Sequence, residues 1–254
     1  MKQNKITILL ILFIGLTACN PEIKTEPAKI KIKKEQPLPI EESISEVIQE
    51  TKFADTIHIN YSEHKTLLNI LKILPETTME SWAWSKKDRE KTVAFIEKNN
   101  FLIDTTEMYN NIKYIKPNTI GIQVVDGFWT LSIYDYLDGN YFIVTNDIVG
   151  DGNDIRTFNF SNNKIIPLKM INWFDGFEYN FLLDIDSTKC IELLKENELT
   201  YDYDFSDENI ITISSWLINK KESENCLLGN SIQYKLNRAD RTFDILDIYW
   251  KKQD

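Results

Sequence analysis

The chain has 254 residues, of which 43% are hydrophobic, and its 39 acidic and 29 basic side chains give a net charge of −10 at pH 7. This length and apolar content suit one large domain or two small ones around a sizeable core. The acidic balance argues against nucleic-acid binding, because phosphates require Lys and Arg. It favours either a cationic protein partner or solubility alone.

A short apolar leader opens the chain. Lys2 and Lys5 precede thirteen uncharged residues, 6–18, most of which are Ile, Leu or Phe. As a helix this run would measure roughly 20 Å, whereas a membrane span needs about 20 residues to cross some 30 Å of hydrocarbon. The pattern therefore predicts a cleaved secretory signal peptide at residues 1–18 rather than a permanent span.

The leader ends in Leu16-Thr17-Ala18-Cys19, which resembles the lipobox of bacterial lipoproteins over about the first twenty residues. The resemblance implies that Cys19 becomes the first mature residue and carries a diacylglycerol and usually an amide-linked acyl chain such as palmitate. Two or more acyl chains hold a protein stably at a membrane. Because Asn20 rather than Asp follows the cysteine, the sorting pattern of enteric bacteria implies the outer membrane, facing the periplasm. The alternative is an ordinary signal peptide with an incidental cysteine.

Residues 19–40 are predicted to form a lipid-anchored tether, since they hold four of the seven prolines together with five lysines and three glutamates. A proline-rich linker extends by about 3.1 Å per residue, so this segment could reach roughly 60 Å. Beyond it lies a predicted globular body, residues 41–254, with 22 basic and 36 acidic side chains and a net charge of −14. An internal boundary near residue 117 is left open.

Two helices are predicted before residue 117. The first is capped by Ser62 and carries a stripe of leucines that stops at Pro75. The second begins with the capping-box pattern at Ser85–Asp88 and ends near Asn99-Asn100. Residues 41–60 show only a few apolar side chains in helical spacing, so a third helix there is left open.

After residue 117 apolar and polar residues alternate, which predicts a meander of about five short antiparallel strands. Its turns are Asp138-Gly139, Gly150-Asp151-Gly152 and Asn162-Asn163. A helix that opens at Asp186-Ser187 interrupts the pattern, which resumes near residue 211. The predicted fold class is therefore α+β, with N-terminal helices followed by a mostly antiparallel β-sheet and one inserted helix near residues 187–197.

Cys190 and Cys226 remain once Cys19 is lipidated. An oxidising periplasm permits a disulfide between them, and closing that loop would contribute roughly 4 kcal/mol in the chain-entropy model. Two buried free thiols are the alternative. Neither cysteine has the local pattern of a catalytic thiol.

The acidic turn at residues 146–154 is the candidate for calcium. Asp147, Asp151 and Asp154 with two glycines resemble the calcium loops of propeller-repeat proteins, which supply oxygen ligands around a sharp turn. Val149 stands where a side-chain oxygen should be, and Phe158 cannot supply the last carboxylate of an EF-hand. A polar β-turn without metal is the favoured interpretation.

Aromatic and acidic residues also cluster at residues 172–179. Trp173, Asp175 and Glu178 are residue types that carbohydrate binding or a two-carboxylate glycosidase mechanism would use. The favoured alternative is a turn whose aromatic rings enter the core while its acids stay in water. His58 and His64, with Glu63, fit neither one helix face nor a zinc motif, and no role is predicted for them.

The favoured function is a non-catalytic binding or interaction protein of the bacterial envelope, one form of which is an inhibitor or immunity protein that meets a cationic partner. The rival is a periplasmic hydrolase, with Asp175 and Glu178 as the first carboxylates to test. A calcium-stabilised structural module is a third interpretation. No catalytic residue and no cofactor other than calcium is predicted, since the sequence lacks nucleophile-elbow, phosphate-loop and dinucleotide-binding signatures.

Overall fold

Strands dominate the computed structural model, which describes residues 54–79, 82–104, 110–125, 127–150, 152–168, 176–196 and 201–252. Within these ranges twelve strands form three antiparallel sheets of two, six and four strands. The leader, Cys19 and the tether lie outside the described residues. The described residues belong to one compact unit. No helix in the described ranges is both long enough and apolar enough to cross a membrane.

The strands of the two-stranded sheet come before and after the first two helices in the sequence. Its strands, β1 (Thr56–His58) and β2 (Leu102–Asp104), pair antiparallel. Between them in the sequence lie α1 (Lys65–Ile73), a 3₁₀ turn at Glu76–Thr78, and α2 (Lys86–Asn99). The first regular element of the described residues is therefore a strand and not a helix.

The first helix, α1, packs on the core through the leucine stripe that its sequence predicts, with Leu67, Leu68 and Leu71 buried. The predicted cap is wrong, because His64 occupies the N-cap position and Ser62 donates its backbone N–H to Oδ1 of Asn60. This contact folds the chain into a local Asx turn before the helix begins.

The second helix, α2, begins where the capping-box pattern predicts. Ser85 is its N-cap, and the Ser85 Oγ accepts the backbone N–H of Asp88 at 3.2 Å. The helix ends at Asn99, and Asn100 follows in the left-handed conformation that asparagine tolerates. Arg89, Val93 and Ile96 are its buried residues.

The six-stranded sheet is a simple meander. Its strands are, in order, β3 (Asn111–Ile115), β4 (Thr119–Val124), β5 (Gly127–Leu137), β6 (Asn140–Val149), β7 (Gly152–Ser161) and β8 (Lys164–Pro167). The three predicted turns fall between the last four strands. Asn162 and Asn163 have φ values of 52° and 58°, which a two-residue hairpin turn of type I′ requires at both positions.

The four-stranded sheet is built from the C-terminal part of the chain. Its spatial order is β12 (Thr242–Tyr249), β11 (Ser231–Asn237), β10 (Ile210–Ser215) and β9 (Tyr201–Asp204). A 3₁₀ helix at Phe177–Phe181 and α3 (Thr188–Glu196) precede it, and the single turn α4 (Lys220–Ser223) joins β10 to β11.

The six-stranded sheet is the central layer, because its two faces line two different cores. Along β5, Trp129, Leu131 and Ile133 belong to the core that includes α1 and α2. Tyr134 and Tyr136 belong to the core shared with the four-stranded sheet. Successive side chains of a strand point to opposite faces, so one strand serves both cores.

These sheets show the predicted α+β class, with N-terminal helices followed by a sheet and one inserted helix, to be wrong. The described fold is mostly antiparallel β structure in three sheets with few helices. β1 precedes the helices, and the two β regions predicted as parts of one sheet are separate sheets. β1 and β2 have only three residues each, too few to display the alternation over about four to eight residues that identifies a strand.

Cys190 of α3 and Cys226, which follows α4, form a disulfide with their Cα atoms 5.2 Å apart. The bond closes a loop between positions 36 residues apart. Of the two alternatives that the sequence left open, the protein adopts the disulfide. It ties α3 to the segment before β11 at the edge of the second core.

Candidate functional site

The calcium candidate is a tight hairpin in the structure. Asp147 on β6 and Asp154 on β7 face each other in the strand pairing, whereas Asp151 lies outside the described residues. Arg156 binds the Asp154 carboxylate at 2.7 Å, and the indole of Trp82 donates to Asp147 Oδ2 at 2.7 Å. Among the residues that the structure describes, no cluster of three or more His, Cys, Asp or Glu could hold a metal ion.

Asp147 is a half-buried carboxyl in this hairpin. Burial raises the pKa of Asp147, the hydrogen bond from Trp82 lowers it, and the charge of Asp154 raises it further. An acid with a raised pKa beside an ionised one is the arrangement of acid–base catalysts. In this hairpin Arg156 forms an ion pair with Asp154, so the Asp154 carboxylate already has a partner within the protein.

Of the three residues predicted for carbohydrate binding or acid catalysis, only Glu178 lies within the described residues. Trp173 and Asp175 lie outside the described residues, so their pairing with Glu178 stays a prediction. Glu178 is half-buried in the 3₁₀ helix and lines a small cavity of about 230 Å³ beside α3. Phe177 next to it enters the second core, whereas Tyr179 is exposed, so the alternative interpretation of this segment holds for only one of these two aromatic residues.

A polar pocket of about 240 Å³ lies where α1, the six-stranded sheet and the loops of the four-stranded sheet meet. We refer to it as the His64 pocket. Its polar lining comes from three parts of the chain: Glu63 and His64 before α1, Asn118 and Asp135 of the six-stranded sheet, and Glu208 and Arg238 from loops of the four-stranded sheet.

Asn118, in the turn between β3 and β4, is fixed in the wall of the pocket. It is 5% exposed, and its side-chain Nδ2 donates to the carbonyls of Asp207 at 2.8 Å and Phe205 at 3.4 Å. Only the nitrogen of an amide can donate to carbonyls, so these bonds decide which way the side chain points. The other atom, Oδ1, is buried and accepts no hydrogen bond from the described residues.

His64 presents a second acceptor. Burial lowers the pKa of its imidazole, while the charge of Glu63 and a hydrogen bond to the backbone of Lys116 partly oppose that shift. Since the ordinary histidine pKa of about 6.5 is already below 7, the ring is neutral at pH 7. Its Nδ1 is buried and has no hydrogen-bond partner in the described ranges. In a neutral imidazole that donates through one nitrogen, the other nitrogen is an acceptor.

The charges of the pocket do not balance. Glu63, Asp135 and Glu208 bring three carboxylates, against the single guanidinium of Arg238. Arg238 donates to the backbone carbonyl of Asp135 at 2.9 Å and to Oδ1 of Asn209 at 2.7 Å. Within the part of the chain that the structure describes, none of the three carboxylates is in an ion pair. The lining therefore has an excess of negative charge.

The sequence alone did not identify this pocket. In the sequence, Glu63 and His64 fit no zinc motif, and Asn118 stands in an ordinary turn. Glu208 and Arg238 reach the pocket because the four-stranded sheet packs on β5, which no local pattern predicts. The only signal available was the net negative charge of the body.

Comparisons with known proteins give a distant similarity in structure. No protein-family model matches the sequence, and no curated protein matches it. The chain is similar to a domain of an uncharacterized protein from Porphyromonas gingivalis W83, with a TM-score of 0.46 and 15% sequence identity. The similarity covers 71% of this chain and 97% of that one.

Proposed function

We propose that the chain is a lipoprotein of the bacterial envelope, held by acyl chains on Cys19, whose β-rich body binds a positively charged partner without catalysis. The lipobox resemblance and the apolar leader support the anchor. The four prolines of residues 20–40 support a body held away from the bilayer. The proposed location is the outer membrane, with the body facing the periplasm.

The observation that carries the binding function is the charge imbalance of the His64 pocket. Three carboxylates face one guanidinium, and a nearby cation gains about 1 kcal/mol per charge at 4 Å in water and more in a partly buried site. The net charge of −14 on residues 41–254 adds attraction at longer range. Both features favour a cationic partner over a neutral or anionic one.

Binding accounts for this pocket better than hydrolysis does. Acid–base catalysis needs groups matched in proton affinity and aimed at one bond in a site that excludes water. Glu63, Asp135 and Glu208 are instead exposed at the rim, where carboxylates steer and orient a partner.

The test is a titration of the full-length protein, purified from membranes in detergent micelles, with a lysine-rich basic protein in a calorimeter. We expect saturable binding that weakens strongly between about 0.1 M and about 1 M salt, because the screening length falls from roughly 10 Å to roughly 3 Å. The matched control is the same basic protein with its lysines acetylated, which should bind far more weakly. Equal affinity for the acetylated protein, or no binding of either, would contradict the proposed function.

A further inference from the structure

We infer that one end of the four-stranded sheet is a docking surface for a lipid bilayer with anionic headgroups. The surface, which we call the Trp216 patch, combines three exposed apolar residues with four exposed lysines. They are Trp216, Leu217 and Leu228, and Lys220, Lys221, Lys251 and Lys252. The inference goes beyond the proposed binding function, because the patch lies at the opposite end of the sheet from the loops that line the His64 pocket.

The strand pairing places the residues of the patch at one end of the sheet. β10 ends, β11 begins and β12 ends at this edge, since Ser214 pairs with Ser231 and Ser231 pairs with Tyr249. The chain segments beyond this edge are residues 216–221, 228–230 and 250–252. All seven residues of the patch belong to these three segments.

A buried asparagine holds the three segments together. Asn230 is 2% exposed, and its Nδ2 donates to the carbonyls of Ile218 at 3.2 Å and Lys251 at 3.3 Å. Its Oδ1 accepts the backbone N–H of Lys251 at 2.7 Å, and its backbone carbonyl accepts the N–H of Ser215 at 2.8 Å. The residues that follow β10 are thereby fixed beside the lysines that follow β12.

The apolar part of the patch has the side chains that enter the surface of a bilayer. Trp216 is 58% exposed, Leu217 49% and Leu228 44%. Single exposed apolar residues are common, whereas a group of them marks a surface that meets a partner. Tryptophan is enriched at the headgroup level of membranes, where its ring lies against apolar groups and its N–H reaches water.

The charge of the patch suits an anionic surface. None of its four lysines forms an ion pair within the residues that the structure describes. The neighbouring carboxylates are Glu222 and Glu224 beside α4 and Asp202, whose raised pKa the charge of Lys251 partly lowers. Four positive charges therefore exceed three negative ones. The acidic remainder of the body does not cancel this excess, because at about 0.1 M salt exposed charges more than roughly 10 Å apart are largely screened.

Basic and apolar side chains on one surface form a known type of membrane contact. Leucine and tryptophan enter the boundary between headgroups and acyl chains, while lysines attract anionic lipids. Lysine stems also lie along apolar surface while their charged ends reach the headgroups. A protein partner would require an acidic surface with its own apolar group. The bilayer is favoured because the proposed anchor on Cys19 already keeps it at high effective concentration.

Docking through the Trp216 patch would point the His64 pocket away from the bilayer. Glu208 lies between β9 and β10, and Arg238 follows β11, so both belong to the opposite end of the sheet. β10 and β11 have six and seven residues, which separates the two ends by roughly 20 Å. A tether of roughly 60 Å lets the body reach the bilayer as well as leave it. The docked body would keep its pocket open to a partner.

The experiment measures quenching of tryptophan fluorescence by brominated acyl chains, which quench a ring that contacts them. Full-length protein is transferred from detergent into vesicles of brominated phosphatidylcholine that contain phosphatidylglycerol. We expect quenching of the wild type and a loss of most of it in Trp216→Phe, because Trp82, Trp84 and Trp129 are buried. Equal quenching of the two proteins, or none in either, would overturn the inference and leave a protein as the partner of the patch.

Lysine variants test the charge of the patch. Changing its four lysines to glutamine should reduce the Trp216-dependent quenching at least about twofold. The matched control makes the same four changes at exposed lysines outside the patch, which are Lys86, Lys87, Lys98 and Lys164, and it should be quenched as the wild type is. Vesicles without phosphatidylglycerol should also reduce quenching of the wild type. Equal quenching in the two fourfold variants, or no effect of phosphatidylglycerol, would contradict docking on anionic headgroups.

The outcomes separate this inference from the proposed anchor. If the protein floats with vesicles but shows no Trp216-dependent quenching, the docking surface is wrong and the anchor stands. If palmitate labelling of Cys19 fails but the Trp216-dependent quenching persists, the anchor is wrong and the docking surface stands. If both labelling and quenching are absent, both proposals fail.

Discussion

Arg89 of α2 donates a hydrogen bond of 2.6 Å from Nη2 to the carbonyl of Leu74, the residue that caps the end of α1. Arg89 is 0% exposed, and its other nitrogens donate to the carbonyls of Leu71 at 3.1 Å and Trp84 at 2.9 Å. The last carbonyls of a helix have no partner within that helix. A buried guanidinium therefore completes the end of α1 and fixes the packing of the two helices.

Replacing this guanidinium should be costly. Arg89→Met leaves three buried carbonyls without donors, and an unsatisfied buried polar group costs about 1–3 kcal/mol, so we expect a loss of about 3 kcal/mol or more in the free energy of unfolding. The matched control is Lys91→Met on the same helix, whose ion pair with Asp88 is exposed and should contribute less than about 1 kcal/mol. Urea unfolding of the two variants measures both values. Equal losses would show that Arg89 has no special role.

The disulfide should stabilise the C-terminal half of the fold. It joins positions 36 residues apart, for which the chain-entropy model gives about 4 kcal/mol. We expect Cys190→Ser combined with Cys226→Ser to lower the free energy of unfolding by about this amount. Wild-type protein unfolded in the presence of reductant should match the double variant. A variant as stable as the oxidised wild type would contradict the expected contribution.

Asp147 should give stability a pH dependence of predictable sign. Burial raises the pKa of Asp147 in the folded protein, whereas an unfolded Asp titrates near 3.9. Between these two values the folded state binds more protons, so this carboxyl makes stability fall as pH rises through the window. Asp147→Asn can still accept the Trp82 indole N–H and removes that contribution.

The measurement is the free energy of unfolding of Asp147→Asn and of the wild type from about pH 3 to about pH 7. The variant should gain stability relative to the wild type as pH rises. A constant difference between Asp147→Asn and wild type across this range would disprove the expected linkage.

Local signals in the sequence predicted local features of the fold. Ser85 predicted the start of α2, the leucine stripe predicted the buried face of α1, and Asn162-Asn163 predicted a hairpin turn. Each of these features depends on residues within a few positions of one another. The division into three sheets depends on long-range packing instead, and for that reason the predicted fold class was wrong.

The sequence predicts even less of the candidate site than of the fold. Arg238 reaches Asp135 across 103 positions of sequence, and Asn118 reaches Asp207 across 89 positions. No periodicity or motif connects such residues. The acidic balance of the sequence fits solubility alone as well as a cationic partner, and the pocket that is proposed for such a partner forms only through the packing of the two larger sheets.

The lipid anchor is the central element of the proposed function, and metabolic labelling with palmitate tests it most directly. In a bacterial host we expect the wild-type protein to incorporate the label and to fractionate with membranes, because two or more acyl chains hold it there. The Cys190→Ser/Cys226→Ser variant should keep the label, whereas Cys19→Ala should lose it and move to the soluble fraction. Retained label or retained membrane association in Cys19→Ala would contradict the anchor and with it the proposed place of action.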